Sequence, residues 1–143
     1  TGLGKTFMSN CIANELIKSG KNVLYQTAPV LLETIIDNKF NKYKTTNKDN
    51  FYKDVLEADL LIIDDLGTEV GNTYTNSKLF YVINERMLKK KSTIISTNLS
   101  LSEIRDSYSE RIFSRITSSY TILKVFGSDI RMMKKTGRKP GKA

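Results

Sequence analysis

Apolar positions along the chain follow two rhythms. Phe7, Met8, Cys11, Ile12, Leu16 and Ile17 recur at helical spacing, which predicts a helix over 4–18 with that face buried and Cys11 as a small core residue. Ser19-Gly20 closes it with a glycine cap. Asn22–Thr27 predicts a strand, and Pro29 suits the first turn of a helix from Val30 to about Asn38. In Ala58–Gly67, Leu60–Ile63 is an apolar run without alternation, as in a strand buried on both faces of a parallel sheet. Thr68–Ser77 is a polar connection. A helix is predicted over 78–90, its face formed by Leu79, Phe80, Val82, Ile83, Met87 and Leu88. Lys89-Lys90-Lys91 suits its C-terminal end. Ser92–Thr97 is a further buried strand. Short helices follow at Ser102–Asp106 and Tyr108–Ile116, then a last strand at Tyr120–Val125. This alternation of strands and helices predicts one α/β domain over residues 1–130, with a parallel sheet covered on both faces. No internal repeat interrupts it.

Composition removes several kinds of chemistry. The 143 residues contain no histidine and one cysteine, which excludes Ser-His-Asp and Cys-His catalysis and a zinc site of the usual ligands. A lone cysteine also forms no internal disulfide, in keeping with a reducing cytoplasm. No apolar run approaches the ~20 residues of a membrane span, so no membrane partner is expected. Of the net charge of +8, residues 131–143 carry six basic side chains and no acid. That tail reads either as a contact to nucleic-acid phosphates or as a solvated, disordered end. Residues 39–54 are polar and basic, with Phe40, Tyr43, Phe51 and Tyr52 interleaved. They read first as a solvated loop and short helix whose aromatics tuck into the core, and otherwise suit stacking on single-stranded nucleic acid.

The chemistry-bearing residues fall at the ends of the predicted strands and at the start of the first helix. Thr1-Gly2-Leu3-Gly4-Lys5-Thr6 reads as the latter part of a phosphate-binding loop, G-x-x-x-x-G-K-[ST]. In such a loop the glycines turn backbone N–H groups inward, Lys5 reaches the β- and γ-phosphates, and the Thr6 hydroxyl holds Mg²⁺. Asp64-Asp65 ends the buried strand, at the edge of an α/β sheet where ligands bind. Paired acids there serve metal-dependent phosphoryl transfer: one holds the metal's shell, the next orients or deprotonates the attacking water. Asn98, at the end of the next strand, either caps a turn or hydrogen-bonds a γ-phosphate. Arg111 and Arg115 lie one turn apart on one helix face.

Together these segments resemble an AAA+ ATPase domain. Gly2–Thr6 resembles Walker A, Leu60–Asp65 Walker B, Thr97-Asn98 sensor 1, Glu110–Ile116 the arginine-finger region, and Gly127–Arg131 the segment carrying sensor 2. Over nearly the whole chain, the phrases I-I-S-T-N-L-S, Y-S-E-R-I-F-S-R-I and F-G-S-D-I-R resemble the bacterial replicative-helicase loaders of the DnaC/DnaI type. The resemblance implies a three-layer P-loop fold with a minimal lid and a first strand lying outside the chain, which then reads as a piece of a longer protein. It implies ATP and Mg²⁺ as cofactors, held by Gly2, Leu3, Gly4, Lys5, Thr6 and Phe7, with Thr6 and Asp64 on the metal. Asp65 takes the water-activating position, often Glu in AAA+ proteins; the shorter Asp suits slow, switch-like hydrolysis. Asn98 senses the γ-phosphate, Arg131 acts in cis, and Arg115 with Arg111 acts in trans through self-association at the ATP site. The implied role is cytoplasmic: ATP-controlled placement of a replicative DNA helicase on single-stranded DNA. The helicase is gripped by a region outside the chain, and Phe40, Tyr43 and Tyr74 are candidates to touch DNA. Two other readings stand beside it: the ATPase helper of an insertion-sequence transposase (IstB type), and a non-hydrolysing interaction fragment.

Overall fold

The computed structural model describes residues 2–40, 48–69 and 71–127, with the side chains of 38–40, 48 and 49 left aside. In chain order the elements are α1 (Lys5–Lys18), β1 (Val23–Thr27), α2 (Ala28–Phe40), α3 (Lys48–Glu57), β2 (Leu60–Leu66), α4 (Thr73–Leu88), β3 (Ser92–Thr97), α5 (Leu101–Ser107) and α6 (Glu110–Ser119). The strands form one parallel sheet in the order β1-β2-β3.

The unbroken apolar run of β2 is explained by its central place. Leu60–Ile63 are all buried, and their alternation divides them between two cores. Leu61 and Ile63 enter the main cluster, where Leu31, Leu32 and Ile35 of α2, Leu79, Val82 and Ile83 of α4 and Ile112 and Ile116 of α6 meet. Leu60 and Ile62 point the other way, to Ala13 and Leu16 of α1. Helices therefore cover both faces of the sheet, as expected.

Two expectations are corrected. The sheet accepts α1 along a narrow stripe in which only Ser9 and Ala13 are buried, with Leu16 packed beside them. Phe7, Met8, Cys11, Ile12 and Ile17 are exposed, so the face expected to be buried is largely the outer one. Residues 120–125 form no strand among the described residues. Ile122 and Leu123 are 49% and 76% exposed, and no strand neighbours them to complete a ladder. Tyr120 alone packs on the main cluster.

Helix starts moved for a local reason. Helix α4 begins at Thr73, inside the stretch read as a polar connection, because Asn72 and Thr75 form a reciprocal capping box. Ser100 with Glu103 does the same for α5. Ser109 caps α6 by accepting the Ile112 N–H, so Tyr108 closes α5 rather than opening α6. Among the described residues, no helix is long and apolar enough to cross a membrane.

Candidate nucleotide site

The parallel register carries every strand's C-terminal end to one edge of the sheet. Thr27 of β1 lies beside Asp64 of β2, and Leu66 lies beside Thr97 of β3. Helix α1 starts at the same edge. Gly2 and Gly4 both take left-handed φ, +70° and +87°. That conformation is cheap only for glycine and turns the peptide planes toward the space in front of α1. Gly4 is the N-cap, and among the described residues no side-chain cap bond forms there and no acid lies in the first turn. Those donors and the positive end of the helix are thus open to an anion.

Around this loop the structure gathers residues far apart in sequence. The Lys5 ammonium donates to Asn98 Oδ1 at 2.7 Å, although 93 positions separate them. Thr6 Oγ1 donates to Asp64 Oδ2 at 2.9 Å. Tyr25 of β1 and Ser96 of β3 also donate to the Asp64 carboxylate, Tyr25 to Oδ2 and Ser96 to Oδ1. Asp64 is 2% exposed. Burial alone would raise its pKa. The hydroxyls of Ser96, Tyr25 and Thr6, with the Asp65 N–H, outweigh that and hold it below the usual carboxylate range. Tyr25 moves the other way: burial, then its bond to Asp64 and the charges of Asp64 and Asp65, push its phenol up to about 12.

Asp65 is set by its backbone. It has φ +56°, at an irregularity in the β2–β3 ladder between Ile63 and Leu66. Left-handed backbone costs a non-glycine residue roughly 1–2 kcal/mol, least for Asp and Asn. Several bonds hold it there. Its N–H donates to Ser96 Oγ at 3.1 Å, and its carbonyl accepts from the Thr68 hydroxyl at 2.8 Å. Thr97 Oγ1 donates to the Leu66 carbonyl at 2.7 Å, tying the next residue to β3. Gly67 follows with φ +101°, and a Cβ there would lie 2.6 Å from Leu99 Cδ1, so the turn requires glycine.

The two arginines sit apart from this cluster. Ile112 and Ile116 bury the inner face of α6, leaving Arg111 and Arg115 on its exposed face. Arg111 lies over the Phe80 ring, 5.3 Å from its centroid. Both line an open groove of about 490 Å³ with Phe80, Glu110 and Ser114. Among the described residues no ion pair engages either arginine. Phe7 is 72% exposed beside the loop. Tyr74 stands in the first turn of α4 with the Lys78 ammonium 5.4 Å from its ring centroid. Phe40 ends α2, whereas Tyr43 and Arg131 lie outside the described residues.

Sequence reasoning passed over Tyr25, Ser96, and the Glu69–Tyr108 pair. Glu69 accepts from the Gly67 N–H at 2.9 Å and from the Tyr108 hydroxyl, which joins the turn after Asp65 to the α5–α6 junction. The available signal for Ser96 was a polar residue inside a strand that otherwise reads as buried.

Among the described residues, no three His, Cys, Asp or Glu side chains are grouped to hold a metal. The donor set of one hydroxyl and one carboxylate, Thr6 and Asp64, fits Mg²⁺, which takes few protein ligands and completes its shell with phosphates and water.

A parallel sheet flanked by helices, with a glycine-bent loop opening a helix at its carboxyl edge, is the arrangement of an α/β P-loop domain. The chain belongs to the family of IstB-like ATP-binding proteins, whose model matches residues 1–137. It is similar to the replicative helicase loader DnaC of Escherichia coli (strain K12), at 26% identity over 137 residues, covering 96% of this chain and 55% of the loader. The chain thus spans about half the length of the curated relatives it matches. A crystal structure of the DnaC helicase loader superposes with a TM-score of 0.73 at 25% identity, over 87% of this chain and 73% of that one. The AMPPCP-bound DnaA of Aquifex aeolicus shares the fold, with a TM-score of 0.75 at 21% identity, over 99% of this chain and 45% of that one.

Proposed function

We propose that the chain is the ATP-hydrolysing part of a replicative-helicase loader, acting in the cytoplasm on single-stranded DNA. The observation that carries it is the convergence of Lys5, Thr6, Asp64, Asp65 and Asn98 at one edge of the sheet, in a chain similar to the DnaC loaders. In this reading, the N–H groups of Gly2–Phe7 and the Lys5 ammonium bind the phosphates. Thr6 and Asp64 would hold Mg²⁺, which when bound would supply neutralisation of developing phosphate charge. Asp65 orients the attacking water, and Asn98 reads the γ-phosphate. The Lys5–Asn98 bond supports this, because it aims two phosphate-reading groups at one point. Arg131 acts in cis. Arg115, with Arg111, acts on the nucleotide of a neighbouring subunit. Their exposed groove away from Asp64 suits that geometry. Phe40, Tyr43 and Tyr74 contact DNA, and a region outside this chain holds the helicase.

The family description favours a second reading, the ATPase helper of a transposase. Affinity capture of the full-length protein separates the two: the loader retains a hexameric replicative helicase in an ATP-dependent manner, and the helper does not. ATP hydrolysis measured with and without single-stranded DNA tests the enzyme reading. A rate no higher than buffer in both would leave a non-hydrolysing interaction module.

Two substitutions examine individual roles. Asp65→Asn keeps the left-handed backbone, since Asn tolerates that region as Asp does. It is expected to bind a fluorescent ATP analogue as the parent does while turnover falls about 100-fold, within the usual range for a lost general base. Loss of binding itself would refute the assignment. Arg115→Ala should leave nucleotide binding by the single subunit unchanged and remove the rise in turnover that accompanies assembly. An undiminished rise would take Arg115 out of the shared site.

A further inference from the structure

The Asp64 carboxylate is held from both sides by hydroxyls of the flanking strands. Ser96, 6% exposed on β3, donates to Oδ1, and Tyr25 on β1 donates to Oδ2. Thr6 shares Oδ2 at 2.9 Å. These donors differ in what binding would ask of them. In the reading above the Thr6 hydroxyl would also offer an oxygen lone pair to Mg²⁺ while its O–H remains free to donate to Asp64. Tyr25 and Ser96 have no such duty. A carboxylate offers about four lone-pair positions. Two are occupied from β1 and β3, one on each oxygen, which fixes the plane of the group.

Ser96 has a second bond. Its Oγ accepts the Asp65 N–H at 3.1 Å while donating to Asp64. One hydroxyl therefore sets the carboxylate of the first acid and the left-handed backbone of the second. It stands two residues before Asn98 on the same strand end. Groups that hold a metal's ligands usually matter to metal affinity almost as much as the ligands do.

We infer that Ser96 and Tyr25 are positioning residues of the nucleotide site: they hold Asp64 ready for Mg²⁺, and Ser96 additionally fixes Asp65. The inference rests on the ATP–Mg²⁺ reading of the site. Tyr25 loses only its hydroxyl in Tyr25→Phe, and Ser96→Thr keeps a hydroxyl where Ser96→Ala does not.

The test is binding of a fluorescent ATP analogue by the full chain, titrated with Mg²⁺ from an EDTA-treated start, with thermal unfolding alongside. Tyr25→Phe and Ser96→Ala should each raise the Mg²⁺ half-point by on the order of tenfold. Metal-free nucleotide affinity and the unfolding midpoint should stay near the parent's for Tyr25→Phe. Ser96→Thr should return most of the loss. A half-point equal to the parent's in Tyr25→Phe and Ser96→Ala overturns the inference and leaves the ATP reading standing. A fall in metal-free affinity as large as the fall with Mg²⁺ also overturns it, since a general disturbance of the site would act that way. A parent chain that binds no nucleotide, with or without Mg²⁺, overturns the ATP reading and this inference with it.

Discussion

Lys5→Ala is expected to lower kcat/KM for ATP by about 10³-fold, the upper range for removing one preorganised charge-stabilising donor. Lys5 is the cation that the glycine-bent loop presents to the space in front of α1, with its ammonium already directed at Asn98. If the proposed ATPase reading holds, removing Lys5 takes away ground-state phosphate binding and stabilisation of charge that grows on the transferred phosphoryl group. Folding should be nearly untouched, because Lys5 is partly exposed and its bond to Asn98 is itself exposed. Unfolding midpoints of the two proteins should therefore agree while steady-state turnover and analogue binding diverge. Equal turnover in Lys5→Ala and parent would sink the ATPase reading outright. A matched loss of stability would move Lys5 from the site to the scaffold.

What could be read from the sequence depended on how local each signal was. The parallel sheet was visible in Leu60–Ile63 because burial on both faces erases alternation, and β2 is central. Lys5, Thr6 and Asp64-Asp65 stood out because those types at strand and helix ends suit phosphate and metal chemistry, and the structure brings them with Asn98 to one edge. The α1 face was misjudged for a physical reason. Period alone marks which residues share a side, not how wide a stripe the sheet can accept, and here it accepts Ser9, Ala13 and Leu16. Tyr120–Val125 has the composition of a strand, but a ladder needs a neighbour, and Ile122 and Leu123 remain in solvent. Tyr25 and Ser96 could not be paired with Asp64 from spacing, since their relation exists only in the register of three strands. The left-handed backbone of Asp65 was equally hidden, because Asp commonly adopts ordinary extended geometry.

The deepest feature hidden from the sequence is Arg86. Helical spacing puts position 86 on the same face as Leu79, Val82 and Ile83, but a charged residue type does not mark a core position. In the structure Arg86 is wholly buried. Its Nε donates to Thr93 Oγ1 at 2.9 Å, its Nη1 to the Val55 carbonyl at 2.8 Å and its Nη2 to the Ser92 carbonyl at 2.6 Å. The guanidinium fork thus joins the end of α3 to the start of β3. Burial pushes its pKa down, countered in part by Tyr120, Glu57 and Asp59. An arginine nonetheless stays protonated in proteins, so the charge is carried by hydrogen bonds to backbone oxygens. Arg86→Leu fills much of the volume but leaves those acceptors facing an apolar side chain. Each buried acceptor left unmade costs about 1–3 kcal/mol. The expected loss is roughly 3–5 kcal/mol, read as a lower urea midpoint with an unchanged denaturant slope. Arg86→Lys should recover only part, because a single ammonium cannot span three acceptors in one plane. By contrast, truncating exposed Lys89, which pairs with Glu57 on the surface, should hardly move the midpoint. If Arg86→Leu unfolded at the parent's urea concentration, the α3–β3 link would be dispensable, and the carbonyls of Val55 and Ser92 would have found other donors.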